Sequence, residues 1–292
     1  MSSNHSGRRN AKTKTSSSNA GILEHKKILI LVKAAPLPST KYLETICTAG
    51  IDEDGKWYRL YPIPFRFLNQ QSKYKKYQWI QVDINKVVEK ADNRVESYRP
   101  NIKSIKTVGV PLSSKNQWEA RRRVVLPIVN KSIEQLQDRF FEKNISLGVI
   151  KPKKIINFTA EKDTSSWQGR KAFAQNQLKL FGPQPKNLKK VPYKFYYHFF
   201  CNDSGCKEPH KFSIHDWEIN MLYHNMKRKY GYAEDIVLEK VKQKWFDQMC
   251  AKDKDTYLFV GTVHSRFKRP IFVVLGVFWP PKIEKSQVRL SL

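Results

Sequence analysis

The sequence is short of cysteine, of acidic residues and of long apolar runs. Four cysteines in 292 residues are too few for the disulfide framework by which small secreted domains make up for a weak core. No apolar stretch nears the roughly 18 residues that a transmembrane helix requires, and the opening MSSNHSGRRNAKTKTSSSNAG lacks the apolar centre of a signal peptide. The expectation is a soluble, cytoplasmic protein with no membrane partner. Also missing are a P-loop, a G-x-G-x-x-G after a strand, a G-x-S-x-G elbow and an H-E-x-x-H pair. These gaps speak against the familiar nucleotide-hydrolysing, dehydrogenase and hydrolase chemistries and leave other enzymes open. The scarcity of acid says most: 26 Asp and Glu stand against 54 Lys and Arg, a formal net charge of +28.

That surplus exceeds what solubility needs and spreads a positive field over much of the surface. Nucleic-acid phosphate is the commonest partner of such a field. An anionic membrane is the alternative, but no long basic amphipathic helix stands out. The chain is 40% hydrophobic and 12% aromatic, enough for one large or two ordinary domains with real cores.

Residues 1–26 are Ser-rich, basic and too polar to offset ordering entropy, so a disordered tail is expected. Residues 27–160 are β-rich. KKILILV and LETICTAGID read as strands, EDG as a turn, KWYRLYPI as the returning strand, and YQWIQVDINKV as another. Alternation puts Trp57, Arg59 and Tyr61 on one face and Tyr58 and Leu60 on the other. Helices are expected over 114–126 and 130–144, the second capped by Ser132 with Gln135 three residues on. SLGVIKPKKIINF then reads as strand. Residues 161–190, with FGPQPKN, read as a linker. Residues 191–292 read as α+β: an aromatic strand, helices from Trp217 and from Ala233, and a final hairpin across HSRFKR (264–269). The expected class is mixed β and α+β, a small N-terminal β barrel or sandwich followed by an α+β domain.

Three constellations carry chemistry. The first is Cys201-x4-Cys206-x3-His210-x4-His215, four soft ligands close together in a Cys-poor chain. Zinc takes thiolate and imidazole in a tetrahedron, often from short loops, so a structural zinc site is expected, with His198 and His264 as spare ligands. The second is Asp216-Trp217-Glu218. A metal-dependent nuclease would gather such carboxylates around Mg²⁺, with Glu234, Asp235 or Asp255 as a further acid. Helix residues two apart diverge by about 200°, however, and Asp216 fits a helix N-cap with Glu218 in the first turn. The third interleaves aromatics and cations: Lys56, Trp57, Arg59, Tyr61 and Arg66, then Lys73, Tyr74 and Lys76, then Arg94, Tyr98 and Arg99. Single strands are held by stacking on aromatics while cations follow phosphate. Arg121-Arg122-Arg123 is a weaker basic run.

ETICTAGIDEDGKWYRLYPIPF (44–65) resembles the opening of a dual OB-fold domain, a strand of the form Cys-x-Ala-Gly-Ile, a turn, then Gly-x-Trp-x-Arg. Cys47, Ala49, Gly50, Ile51, Gly55, Trp57 and Arg59 carry the likeness, which extends over residues 27–160. The resemblance implies an OB-like barrel and nucleic-acid binding, in prokaryotic defence or mobile-element systems. The C-terminal half resembles a Cys/Cys/His-Asp-Trp-Glu module of uncharacterised bacterial proteins, which implies no activity.

Three functions are therefore open from the sequence. One is a nucleic-acid-binding protein, for single-stranded DNA or RNA, with a metal-stapled C-terminal region. The second is an Mg²⁺-dependent nuclease centred on Asp216 and Glu218. The third is an interaction subunit of a nucleoprotein complex.

Overall fold

The computed structural model describes residues 23–87, 92–169, 171–172, 188–231, 233–263 and 270–283. Residues 1–22 of the tail expected over 1–26, the FGPQPKN stretch and the 264–269 hairpin connection lie outside the described residues, while Glu24, His25 and Lys26 belong to a strand.

The N-terminal region is a closed barrel. β1 (Glu24–Lys33) pairs antiparallel with β3 (Leu43–Ile51), and β3 with β4 (Trp57–Ile63). β4 runs parallel to β6 (Ser97–Pro100), β6 pairs antiparallel with β5 (Trp79–Lys86), and β5 returns to β1. Five strands thus close on themselves, which is compatible with the OB-like expectation. β2 (Leu37–Ser39) adds to β3, and β7 (Lys106–Val108) to β5.

β1 explains why its sequence is so densely apolar. Ile28 and Ile30 fill the barrel with Ile46, Tyr58, Leu60, Ile80, Val82 and Ile84. Leu29 and Leu31 point outward, into a second core shared with Leu147, Val149, Phe259, Val273 and Leu275. A strand buried on both faces loses the apolar–polar alternation of a half-exposed one. Gly50 has a separate cause: a Cβ there would lie 2.2 Å from the Leu29 carbonyl oxygen, so only glycine allows β1 and β3 to approach this closely.

The rest of the chain is α/β. Helix α1 (Lys115–Val125) opens with a left-handed stretch at Asn116, Gln117 and Trp118, and α2 (Ile133–Lys143) follows. Between them lies β8 (Val129–Asn130), parallel to β9 (Leu147–Ile150). The continuous strand expected over 146–158 divides after Ile150: β9 joins β13 (Tyr257–Thr262) and β14 (Phe272–Phe278) in a four-stranded sheet. β10 (Lys154–Lys162) belongs to a three-stranded sheet with β11 (Tyr193–Phe200) and β12 (His210–Ser213). Pro152, at the break, cannot donate to a ladder. Helix α3 (Trp217–Tyr230) packs on α4 (Glu234–Lys242), which runs on into a π turn over Gln243–Gln248. Val237, Val241, Trp245 and Met249 form a buried inward stripe, while Ile236 is exposed. Among the described residues, no helix is long and apolar enough to cross a membrane.

Candidate metal centre

Cys201 follows the last residue of β11, Cys206 lies in the turn, and His210 opens β12. The antiparallel register pairs Phe199 with His210, so the strand ends bring thiol and imidazole together. The fourth member comes from far away in sequence. Glu134 stands in the first turn of α2, whose N-cap Ser132 accepts from Gln135 N at 3.1 Å while Gln135 Oε1 accepts from Lys131 N at 2.8 Å. That capping pattern was legible in the sequence; that it aims Glu134 at the Cys201–His210 loop was not.

The ligand atoms of Glu134, Cys201, Cys206 and His210 all lie within 4.8 Å of one another. His210 Nε2 is 3.4 Å from Cys201 Sγ, 3.5 Å from Cys206 Sγ and 3.4 Å from Glu134 Oε1. Zinc–ligand bonds of about 2.0 Å to nitrogen and 2.3 Å to sulfur at tetrahedral angles give N···S edges of about 3.5 Å and N···O edges of about 3.3 Å. The group fits the edges of a metal tetrahedron at three of these contacts; Cys201 Sγ to Glu134 Oε2, at 2.9 Å, is the tight one. Burial first, and then the Glu134 carboxylate, push the Cys201 thiol up to about 12. Burial also lowers His210, against the pull of Glu134, and favours the neutral ring that ligates metals. A cation at the centre reverses the thiol's direction, because ligation requires thiolate.

His215 does not join this group. β12 carries the chain about 16 Å beyond His210 at the usual strand rise. His215 Nε2 lies 3.0 Å from Ser213 Oγ, and the His215 backbone is tied to Val274 O and Ala35 N. Of the two spare ligands, His198 Nε2 lies 3.0 Å from Thr159 Oγ1, and His264 is outside the described residues.

Asp216 is the N-cap of α3 and is fully buried. Its Oδ1 accepts from Glu218 N at 2.7 Å, and its Oδ2 holds Lys76 Nζ at 2.6 Å. Glu218 Oε2 takes the same ammonium at 3.1 Å. The two carboxylates thus clamp a lysine of the barrel, and a divalent ion would have to displace it. Burial raises Asp216 to about 6, opposed by Lys76. Burial alone would lower Lys76, but Asp216 and Glu218 outweigh it and hold the ammonium above its usual range. Close by, Lys33 Nζ sits 3.7 Å from the Phe65 ring centre and 5.3 Å from that of Trp217; burial, then the charge of Lys76, bring it down to about 8. The other acids are engaged elsewhere: Glu234 accepts from Tyr223 Oη at 2.7 Å, and Asp255 pairs with Lys151 at 2.5 Å.

The aromatic and basic residues of the barrel divide into two sets. Arg59 is buried, and its guanidinium donates to Ser146 Oγ at 2.8 Å, which in turn donates to Glu96 Oε1 at 2.6 Å. Tyr74 is buried with its hydroxyl 2.7 Å from Thr48 Oγ1, and Tyr98 packs on Tyr58. Trp57 meets Phe259 edge-on at 6.5 Å, Lys76 is clamped as above, and Arg94 forks onto Asp92 at 2.7 Å. All six make contacts within the fold; Arg59, Tyr74 and Tyr98 are buried, and Trp57, Lys76 and Arg94 are half-buried. The expected common face of Trp57, Arg59 and Tyr61 is covered at its first two positions by the C-terminal sheet. Tyr61, Lys56 and Arg99 are exposed, Lys73 is half-buried, and Arg66 pairs with Glu44. Phe67, which no motif in the sequence marks, is exposed beside Arg66. The parallel register of Arg59 with Ser97 and Leu60 with Tyr98 brings Tyr61 and Arg99 to the same end of β4 and β6. Arg121 lies over Tyr77 at 4.2 Å, and Arg122 pairs with Asp255, so that run is largely structural.

The model of a family described as a domain of unknown function (DUF8757) matches residues 129–292, and so includes all four residues of the metal group. A second, also described as a domain of unknown function (DUF8758), matches residues 24–127, which include the five barrel strands. No curated protein matches the chain.

Proposed function

The chain belongs to the family described as a domain of unknown function (DUF8757), and for this member we propose single-stranded nucleic-acid binding with a structural zinc ion. The observation that carries the reading is the net charge of +28 on a chain whose barrel keeps Lys56, Tyr61, Lys73 and Arg99 at or near its surface. A closed barrel presents rings and cations on a rigid wall, and that arrangement suits unpaired bases better than a duplex whose bases are already stacked. The resemblance of residues 44–65 supports the same reading, and with it a cytoplasmic role in a prokaryotic defence or mobile-element system.

Glu134, Cys201, Cys206 and His210 would hold the zinc. Two thiolates select a soft or borderline ion over Mg²⁺. With four protein ligands the site is closed, and its role is to staple α2 to the β11–β12 turn. No observation favours the Asp216 nuclease reading, since Lys76 fills the place an ion would need.

The test is a salt titration of binding to labelled DNA and RNA oligonucleotides. Five phosphate contacts on a single strand give a slope of log K against log salt of about −3.5. Absent or salt-independent binding refutes the proposal. Binding that needs an added protein subunit would replace it with the nucleoprotein-subunit reading.

A further inference from the structure

β11 alternates without a break. Phe195, Tyr197 and Phe199 are buried in the C-terminal core, so Lys194, Tyr196, His198 and Phe200 point to the opposite face. Their neighbours across the sheet follow from the register. On one side Thr159 stands opposite Tyr196, Asn157 opposite His198 and Lys154 opposite Phe200. On the other side Ser213 stands opposite Tyr196 and Lys211 opposite His198. The outer face therefore carries three rings in a row, at successive outward positions about 6.6 Å apart. Tyr196, His198 and Phe200 are only half-buried. Lys211 Nζ lies 4.7 Å from the Tyr196 ring centre and also pairs with Glu161 at 2.5 Å. At the Phe200 end the face opens into a pocket of about 330 Å³, whose walls include Lys153, Lys154, Phe200, Asp203 and both cysteines of the metal loop.

Single aromatics on a strand need no explanation, because rings suit a pleated surface. Three in register, framed by Lys154, Lys194 and Lys211 with Glu161 among them and ending at a pocket that carries two lysines and Asp203, suit a ligand with flat faces and negative charge. We propose that the outer face of β10, β11 and β12 is a second binding surface, where a single strand lies along β11 with bases on Tyr196, His198 and Phe200 and phosphates on Lys154 and on Lys194 and Lys211, which exchange their present partners Asp163 (3.9 Å from Lys194) and Glu161 for phosphate. The metal loop fixes the end of this path by anchoring the turn after Phe200. The inference rests on the nucleic-acid reading above but names a site outside the barrel. Sheet faces with exposed aromatics are a recurring solution for holding unpaired bases.

The experiment uses the full chain and labelled oligo(dT), oligo(U) and a duplex of equal length. Tyr196→Ala/Phe200→Ala should weaken single-strand binding at least tenfold, since base–aromatic stacking carries much of such affinity. Metal content should not change, and only a modest fall in melting temperature is expected from the two half-buried rings. A barrel variant, Tyr61→Ala, shows separately what the barrel contributes. If the wild type binds and the double variant stays within about twofold, the sheet-face proposal is overturned and the general reading survives. If the wild type binds nothing, both fall. As a check that needs no folded variant, ultraviolet cross-linking of a bromouridine-containing strand to the wild type should label β11. Cross-links confined to the barrel, or a clear preference for the duplex, would also overturn the proposal.

Discussion

Lys76→Met should leave the fold holding a carboxylate that it cannot hydrate. Asp216 is fully buried, and the Lys76 ammonium 2.6 Å away is its charge partner. Glu218 also touches that ammonium, but its side chain is 58% exposed and can turn to water. Removing one member of a buried pair costs about 3–5 kcal/mol. In a chain of this size each kcal/mol moves the melting temperature by about 2–4 °C, so a fall on the order of 10 °C is expected. The loss must also depend on pH. Burial already raises Asp216 to about 6 with the lysine in place, and without it the carboxyl rises further. A carboxyl whose folded pKa exceeds its unfolded value of about 3.9 destabilises as pH rises between the two, because the folded state must release the more tightly held proton. The deficit of Lys76→Met should therefore be small near pH 5 and widen towards pH 8. Glu218→Gln is the control, and as an exposed partner it should cost under about 1 kcal/mol. Thermal melts of the three proteins at several pH values decide the matter. A fall of less than about 3 °C at pH 8, or a deficit that does not change with pH, would refute this account of the clamp.

Metal analysis of the purified protein should find one zinc per chain. Cys206→Ser should abolish it and Glu134→Ala weaken it, while His215→Ala leaves it intact; retention in Cys206→Ser would disprove the ligand set. A chelator should lower the melting temperature of the wild type, because metal binding to the folded state is folding free energy. Gly276→Ala tests the clamp from the other side. Its new Cβ would lie 3.2 Å from Phe259 Cδ2 and 3.3 Å from Asp216 Oδ2, so a cost of about 1–3 kcal/mol is expected in denaturant titrations.

Local features are legible in the sequence. The turn at Glu53–Gly55, the Ser132 cap, the N-cap role of Asp216 and the apolar stripe of α4 depend on residues within a few positions of one another. Three of the four metal-group members lie on one short loop, so their spacing announced them. Glu134 was hidden because its approach to Cys201 is set by how α2 docks on the strand ends, a contact across 67 positions of sequence.

The barrel residues show the same divide from the other side. A repeated mixture of aromatics and cations reads alike whether it faces water or a neighbouring sheet. Arg59 has the composition of a phosphate ligand, yet it spans to Ser146 and Glu96 because the C-terminal sheet covers that side of β4. Lys76 and Asp216 each looked functional alone, and together they are a buried pair joining the barrel to α3. The sequence by itself determined most of the long strands and helices, the charge and the soft-ligand loop, since periodicity, capping and composition are local quantities. Only the tertiary structure decided which cations are neutralised, which rings are covered and which carboxylate completes the metal group. Burial and pairing across long separations depend on how the sheets pack, and no short stretch of sequence records that.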